Sequence, residues 1–460
     1  MVRRRQYLNM NLIRKYNVSG PRYTSYPTVP YWDKGVPENN LWEKHIKNSF
    51  DASNDDDGIA LYIHLPFCES LCTYCGCNTR ITVNHQVEDI YIDAIIKEWD
   101  LYLDIFKNTP KIKEIHLGGG TPTFFSPNNL KRIIDSIFLK AKPAKNAEFS
   151  FEAHPNNTTY EHLKMLYNLG FKRLSLGIQD FDIKVQTIVN RIQPFEKVQE
   201  VVDHARELGY SSINFDLIYG LPMQTKESVV DTINKVNILK PDRIAFYSYA
   251  HVPWIKPGQR KFTEDDLPKD EAKRELYEIG KEMFSKNDYV EIGMDHFSLK
   301  SDSLYRAAER GDLHRNFMGY THTYTQLMVG LGVSSIGDTW TMFGQNVKVV
   351  EEYYKLVNDG KLPIFRGHEL TEEDLIIRKH ILNCICKFET SWENDEEKFP
   401  LLDETITKLK ELEKDNLIEL GPNNLKIKKE ARPFIRNICM CFDVRLAKEA
   451  PSTTIFSSTV

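Results

Sequence analysis

No stretch of the 460 residues approaches the ~18 consecutive apolar positions of a membrane-spanning helix. Mean hydropathy is −0.45. The first residues, MVRRRQYLNMNLIRKY, carry charge but no apolar h-region, so a secretory signal is not expected and a cytoplasmic location is. A basic excess is missing too. The 60 Lys plus Arg against 65 Asp plus Glu give a net charge of −5, which argues against a dedicated nucleic-acid binder. There is no internal repeat and no low-complexity tract. With 41% hydrophobic and 27% charged residues the composition is that of a globular protein. At roughly 150 residues per domain the length suggests about two or three domains, with ample core and no need of disulfide staples.

Cysteine is scarce but concentrated. Of the eight, Cys68, Cys72, Cys75 and Cys77 fall within ten residues, and the others form two close pairs, Cys384/Cys386 and Cys439/Cys441. A tight cluster in a long chain without a signal peptide reads as metal or redox chemistry. The segment CESLCTYCGC has the spacing C-x3-C-x2-C-x-C. One reading is a structural zinc bound by all four thiolates, but such sites pair two knuckles across a longer loop and no second knuckle exists here. The other is a 4Fe-4S cluster held on three irons by Cys68, Cys72 and Cys75, with the fourth iron open to a ligand. Cys77 is then spare, its short offset from Cys75 pointing it away. The spacing together with the flanking motifs favours the cluster. The C-terminal pairs sit at i, i+2 on helical patterns and face different directions, so buried small thiols are the expected reading there.

From about residue 58 strand-like and helix-like segments alternate: GIALYIHLPF, KIKEIHL, AEFSFEAHP, FKRLSLGIQDF, SINFDLIYGLP and DRIAFYSYAHVP are strands separated by amphipathic helices. Six β/α units in succession predict a parallel sheet with helices outside it. An open doubly wound sheet fits the pattern alone. The polar motifs favour barrel-like closure, because each strand ends in something unusual (the Cys loop, GGGTPT, EAHP, GIQDF, DLIYG, YSYAH) and such endings converge on one site. Beyond about residue 300 the rhythm becomes helix, helix, hairpin over GPNN, helix, which resembles a winged-helix unit; the acidic balance argues against a DNA role. Residues 1–52 read as an irregular N-terminal arm, 53–300 as the barrel and 301–460 as a mostly helical C-terminal domain, with DASNDDDG as a solvated linker.

A C-x3-C-x2-C loop after the first strand of a β/α barrel resembles the radical S-adenosylmethionine (SAM) superfamily. The match extends through GPRYTSYPT, YIHLPFC, CGCN, GGGTPT, GIQDF, NFDLIYGLP, YAHVP, IGMDHF, LHRNF and RNICMCFD, so nearly the whole chain is similar to the oxygen-independent coproporphyrinogen III oxidase (coproporphyrinogen dehydrogenase) family. The resemblance implies a partial (β/α)6 barrel, with the arm and C-terminal domain read above. It implies an enzyme of heme biosynthesis that uses a 4Fe-4S cluster and two SAM molecules. A 5′-deoxyadenosyl radical takes hydrogen from the β-carbon of a propionate, which then loses carbon dioxide and an electron to give a vinyl group. Two propionates of coproporphyrinogen III react, giving protoporphyrinogen IX. It also implies a monomer and an electron donor such as flavodoxin or ferredoxin.

By the same resemblance, Cys68, Cys72 and Cys75 hold the cluster. Tyr62, Gly119, Glu152 and Ile336 match contacts of the first SAM, which makes Tyr62, Glu152 and Ile336 the catalytic candidates. Tyr74, Gly120, Thr121, Gln179, Arg191, Asp216 and Ala250 match contacts of the second. The residue types suit these tasks: glycines allow close backbone approach, Glu152 accepts from a cationic amino group, and Arg191 grips a carboxylate with a planar fork. Tight turns account for the glycines equally well, and aromatic core for Tyr62 and Tyr74. A tetracarboxylate substrate needs local cations, and Arg22, Arg260 and Arg315 are the candidates. His64, His116, His251 and His314 are expected to be satisfied structural histidines. Three departures stand out. Met318 occupies the place of a family Gln, His154 replaces an acid at the end of the third strand, and the C-terminal FSSTV lacks an expected Arg. The rival readings are a heme-binding chaperone relative and a radical SAM methylase of the same layout. Both usually lack the N-terminal arm.

Overall fold

The computed structural model describes residues 11–38, 40–449 and 456–459. Six strands, β1 (Ile59–Leu65), β2 (Lys111–Gly119), β3 (Lys142–Ala153), β4 (Phe171–Gln179), β5 (Ser212–Tyr219) and β6 (Arg243–Ser248), pair in parallel and in sequence order. Their hydrophobic runs are buried on both faces, as parallel strands covered by helices require; six of the seven residues of β1 are buried. The covering helices include Val87–Phe106, Pro127–Lys140, Phe195–Leu208 and Lys226–Leu239. The short helix Tyr160–Asn168 shows how local sequence sets the ends. The Thr159 hydroxyl accepts the His162 N–H, the His162 side chain reciprocates, and Gly170 turns the chain away at φ +97°.

The sheet runs on past both ends of this series, to twelve strands. Beside β6 lie the antiparallel strands His296–Leu299 and Tyr289–Gly293. Beside β1 lies Leu327–Leu331, which is also parallel, followed by antiparallel Ile336–Asp338, Met342–Asn346 and Ile364–Glu369. The two outer strands do not pair with each other, so the barrel is partial. The rhythm that breaks near residue 300 in the sequence therefore hides a continuation of the sheet. The strands there are three to six residues long and carry glycines over which the indole of Trp42 packs: a Cβ at Gly337 or Gly344 would come within 2.8–2.9 Å of it.

Trp42 belongs to a helix, Leu41–Ser53, where the sequence suggests only an irregular arm. Its buried residues Trp42, Ile46 and Phe50 recur at i, i+4 and i+8. The start of the expected linker is pinned as well. Asn54 is buried and its Oδ1 accepts the Lys111 N–H at 2.8 Å.

The C-terminal part builds a second core from helices Glu372–Lys387, Leu402–Lys414 and Ile435–Phe442 around a small three-stranded sheet. Thr371 and Asp374 form the expected capping box. Cys384, Cys386 and Cys439 are buried free thiols of this core, and the Cys384 and Cys439 thiols meet between two helices. The arm is bound to the same core through Tyr23, whose hydroxyl donates to Asp443 at 3.0 Å.

Candidate active site

The C-terminal ends of the parallel strands open into one cavity of about 460 Å³, within the range of small-molecule sites. All four clustered cysteines line it, with Tyr74, Gly119, Gly120, Thr121, Glu152, Gln179, Arg191 and Asp216.

Backbone contacts to distant loops fix the cysteine loop. Phe67–Cys68 pairs with Arg80–Ile81, the Thr73 N–H donates to Val189 O at 2.9 Å, and Asn190 Nδ2 donates to Leu71 O at 2.8 Å. The Cys75 N–H closes a turn on Cys72 O at 3.1 Å. Cys68 Sγ lies 3.3 Å from Thr121 Oγ1, and Arg191 donates to Cys72 Sγ at 3.5 Å. A hydrogen bond from the Cys77 thiol holds the Cys75 thiol below its ordinary value, so Cys77 turns toward Cys75 rather than away from it. Burial pushes Cys68 up to about 11, against the Thr121 hydrogen bond. Among the described residues no group of three or more His, Cys, Asp and Glu is gathered tightly enough for a single metal ion. Three soft thiols that face one cavity suit an iron–sulfur cluster, with each thiol on a different iron.

The GGGTPT segment forms a ledge beside the cysteines. The Gly120 N–H donates to Leu65 O at 2.8 Å and the Thr121 N–H to Phe67 O at 3.0 Å. A Cβ on Gly120 would stand 2.5 Å from Pro66 O. Gly119 has φ +114°, and a Cβ there would lie 2.6–2.9 Å from three atoms of the His64 ring. His64 is itself held by Asn78 O at 2.9 Å and by the Tyr62 hydroxyl at 3.1 Å. The chain's own crossing thus already demands glycine at both positions.

Beside the ledge, Glu152 Oε2 accepts the Gly119 N–H at 3.2 Å and Oε1 faces His116 Nε2 at 3.4 Å. Burial works to raise its pKa, but His116 and the Gly119 N–H together hold it below the ordinary carboxylate value. Asp216 accepts from Ser175 Oγ at 3.0 Å and Asn214 Nδ2 at 2.9 Å; burial, then the charge of Glu152, raises it to about 6. Arg191 grips Gly177 O with Nε at 3.1 Å and a second nitrogen at 2.5 Å. Gln179 is held at φ +67°, a costly backbone for a residue with a side chain, of the sort that gathers at functional sites.

Three expected contacts do not line the cavity. Tyr62 lies behind the ledge, its ring stacked on His116 at 6.0 Å. The Ala250 carbonyl is tied by Gln259 Nε2, at 3.2 Å, to the loop of Tyr74. Ile336 packs against the cluster of Trp32 and Phe343. Met318 and His154 do line the cavity; burial and Arg191 lower the His154 ring to about 3. Of the expected structural histidines, His64 and His116 are satisfied as foreseen, yet His116 also borders the cavity. The sequence reading missed Tyr247, His296 and Asn316, which also line it. Each sits inside a quoted motif, but nothing in the residue type marked it. Arg260 is exposed and donates to Pro253 O, away from the cavity.

Comparison with known proteins bears on the family and the fold. The sequence profile of the radical SAM superfamily matches residues 62–236. The chain is 39% identical over 451 residues to the oxygen-independent coproporphyrinogen III oxidase of Helicobacter pylori strain 26695, covering 96% of this chain and 97% of the relative. It is 37% identical over 447 residues to that of Escherichia coli K12, covering 96% of each. Among solved structures, coproporphyrinogen III oxidase (HemN) from Escherichia coli, described as a radical SAM enzyme, superimposes with a TM-score of 0.86 at 35% identity, over 92% of this chain and 98% of that one.

Proposed function

The chain belongs to the oxygen-independent coproporphyrinogen III oxidase family of the radical SAM superfamily, and from that premise we propose how its own residues serve the reaction. The protein is an oxidoreductase of heme biosynthesis. It decarboxylates two propionates of coproporphyrinogen III oxidatively to vinyl groups, giving protoporphyrinogen IX. Relatives matched along nearly the whole chain carry the oxidase name, and neither the heme-chaperone nor the methylase reading is favoured. The observation that carries the reading is the meeting of three C-x3-C-x2-C thiols with Glu152, Arg191 and Asp216 in one cavity at the ends of parallel strands.

We assign Cys68, Cys72 and Cys75 to a 4Fe-4S cluster and leave Cys77 outside it. A reduced cluster with SAM supplies a 5′-deoxyadenosyl radical able to abstract hydrogen from an unactivated carbon. Glu152, kept ionised by His116 and the Gly119 N–H, accepts hydrogen bonds from the ammonium of the first SAM. Arg191, one edge of which is held by Gly177 O, offers its remaining N–H groups to the carboxylate of the second, and Asp216 accepts from a ribose hydroxyl or ammonium. Gly119, Gly120 and Thr121 present backbone and hydroxyl to these ligands, with Tyr74 and Gln179 in the same lining. Tyr62, Ala250 and Ile336 act from behind the lining, through the shape they impose on it. We place the protein in the cytoplasm as a monomer reduced by a flavodoxin- or ferredoxin-type donor. No helix among the described residues is long and apolar enough to cross a membrane.

Anaerobic turnover of coproporphyrinogen III with SAM and a reductant, followed by chromatography of the oxidised products, tests the reaction. SAM cleavage without any decarboxylated porphyrinogen would overturn the substrate. Reconstituted protein is expected to hold about four irons per chain. Cys68→Ser, Cys72→Ser and Cys75→Ser lose them, and Cys77→Ser keeps them. One zinc on four thiolates would overturn the cluster assignment.

A further inference from the structure

Where the arm, the last barrel strands and the C-terminal core meet, there is a second, smaller chamber of about 40 Å³. At one water per 10–15 Å³ it has room for about three or four waters, the size of a carboxylate or another small oxyanion. Its wall carries Arg22, Arg274, Arg315, Arg432 and Arg436, and Asp295 is its one carboxylate among the described residues.

The pairing of these cations is incomplete. Arg22 shares Asp295 at 3.5 Å and donates to Ser248 O at 2.9 Å. Arg274 pairs with Glu278 but has an unpartnered, buried Nε. Arg432 donates to Glu291 O at 3.0 Å and shares the Glu291 carboxylate, at 3.9 Å, with Lys281 at 2.8 Å. Arg436 is spent on backbone carbonyls, among them Pro21 O at 2.9 Å and Ser458 O at 2.6 Å. Arg315 is only 7% exposed, and neither its Nε nor its Nη1 has a hydrogen-bond partner. A buried guanidinium without an acceptor is costly, so its retention points to an anion from elsewhere. The surroundings agree: burial, then Arg22 and Arg436, lowers the nearby Lys273 ammonium to about 8.

The chamber adjoins the reaction cavity. Arg315 lies on the strand His314–Asn316, where alternate residues face opposite sides, and its neighbour Asn316 lines the reaction cavity. Tyr320, directly across the hairpin, lines that cavity while its ring carries the Arg315 guanidinium at 4.7 Å. His296, next to Asp295, lines it too.

We propose that this chamber is a carboxylate subsite that receives one propionate of the tetracarboxylate substrate, with Arg315 as the principal contact and Arg22 and Arg274 in support. The proposal rests on the function assigned above. A free inorganic oxyanion shares the chemistry, so the test has an arm for each.

The holoenzyme is titrated with coproporphyrin III, the fluorescent oxidised tetracarboxylate, and with its tetramethyl ester, for wild type, Arg315→Gln and Arg22→Gln. Thermal unfolding is followed with and without inorganic phosphate, and SAM binding reports on the fold. Wild type is expected to prefer the acid to the ester. Arg315→Gln should lose roughly ten- to a hundredfold in affinity for the acid, the worth of a charged hydrogen bond, with ester and SAM binding unchanged. Arg22→Gln, at a less buried position, should move the same way by less. Wild-type affinity for the acid in both variants overturns the subsite. Phosphate stabilisation that Arg315→Gln abolishes while acid affinity stays intact also overturns it, in favour of an inorganic anion. Failure of the assigned function looks different: wild type itself then neither binds coproporphyrin nor decarboxylates coproporphyrinogen, and the subsite falls with it.

Discussion

Replacing Gly119 by Ala tests whether the ledge and the cysteine loop are one mechanical unit. The new methyl meets two penalties. The backbone at φ +114° lies where a residue with a side chain is strained by about 1–3 kcal/mol. The Cβ would also stand 2.6 Å from the His64 ring, and overpacking of that kind costs about 1–3 kcal/mol more. His64 has no free direction in which to yield. Its ring is anchored to Asn78 O and the Tyr62 hydroxyl, and Asn78 follows the last cysteine by one residue. Gly360→Ala separates the two penalties, because Gly360 has φ +70° with nothing within 4 Å and should cost only the backbone term, about 1–2 kcal/mol. Both variants are to be followed by thermal unfolding of the apoprotein and by iron bound after anaerobic reconstitution. Gly119→Ala should unfold several degrees below Gly360→Ala and bind less iron. Adding His64→Ala should recover part of the loss, with a coupling of about 0.5–3 kcal/mol. If Gly119→Ala matches Gly360→Ala in midpoint and wild type in iron content, the ledge does not bear on the loop and the reasoning fails.

Arg191→Ala is expected to lower SAM stoichiometry from two per chain toward one while the cluster's electron-resonance signal persists; equal stoichiometry in variant and wild type would refute its assignment. Met318→Gln restores a neutral hydrogen-bonding group worth about 0.5–1.5 kcal/mol, so turnover should change roughly two- to twelvefold with the same product, and product analysis that finds a different porphyrinogen counts against the substrate geometry. Glu98 sets a pH dependence. It is fully buried and accepts from the Gly332 N–H, Asn346 and Tyr353, yet burial raises it from 4.5 to about 7. The folded form therefore binds the proton more tightly. Its contribution, roughly 3 kcal/mol at 1.36 kcal/mol per pH unit, is complete below about pH 4.5 and is lost as pH rises through about 7. Unfolding midpoints of Glu98→Gln should fall less steeply over that window than those of wild type; parallel curves would remove Glu98 as the cause.

Much of this was legible in the chain itself. The cysteine spacing, the six strand runs and their polar endings are local patterns, and the structure gathers those endings into one cavity. What stayed hidden depends on contacts between distant segments. The strands between residues 327 and 369 are too short and too glycine-rich to show a period, and their fit under Trp42 exists only in three dimensions. Arg22 and Arg315 were candidates by charge alone, but their meeting with Arg436 joins segments more than 400 residues apart in the chain. His296 and Tyr247 belong to the cavity because the antiparallel strand His296–Leu299 folds back against β6, a pairing that no residue type announces. Met318, by contrast, stands out within its motif and does line the cavity.

The parallel pairing of β1 with Leu327–Leu331 also sets a timetable for synthesis. β1 leaves the ribosome early, but the strand that covers its outer edge follows roughly 260 residues later. At about 5–20 residues per second, that edge waits roughly 13–50 s without its partner. An apolar strand with free backbone groups is a template for pairing with other chains, so this interval is when the nascent protein is most exposed to aggregation and most in need of a chaperone. A chain truncated at residue 300 would keep all six strands of the β/α series and every clustered cysteine. It would nonetheless carry that open edge permanently, and is expected to accumulate as insoluble material.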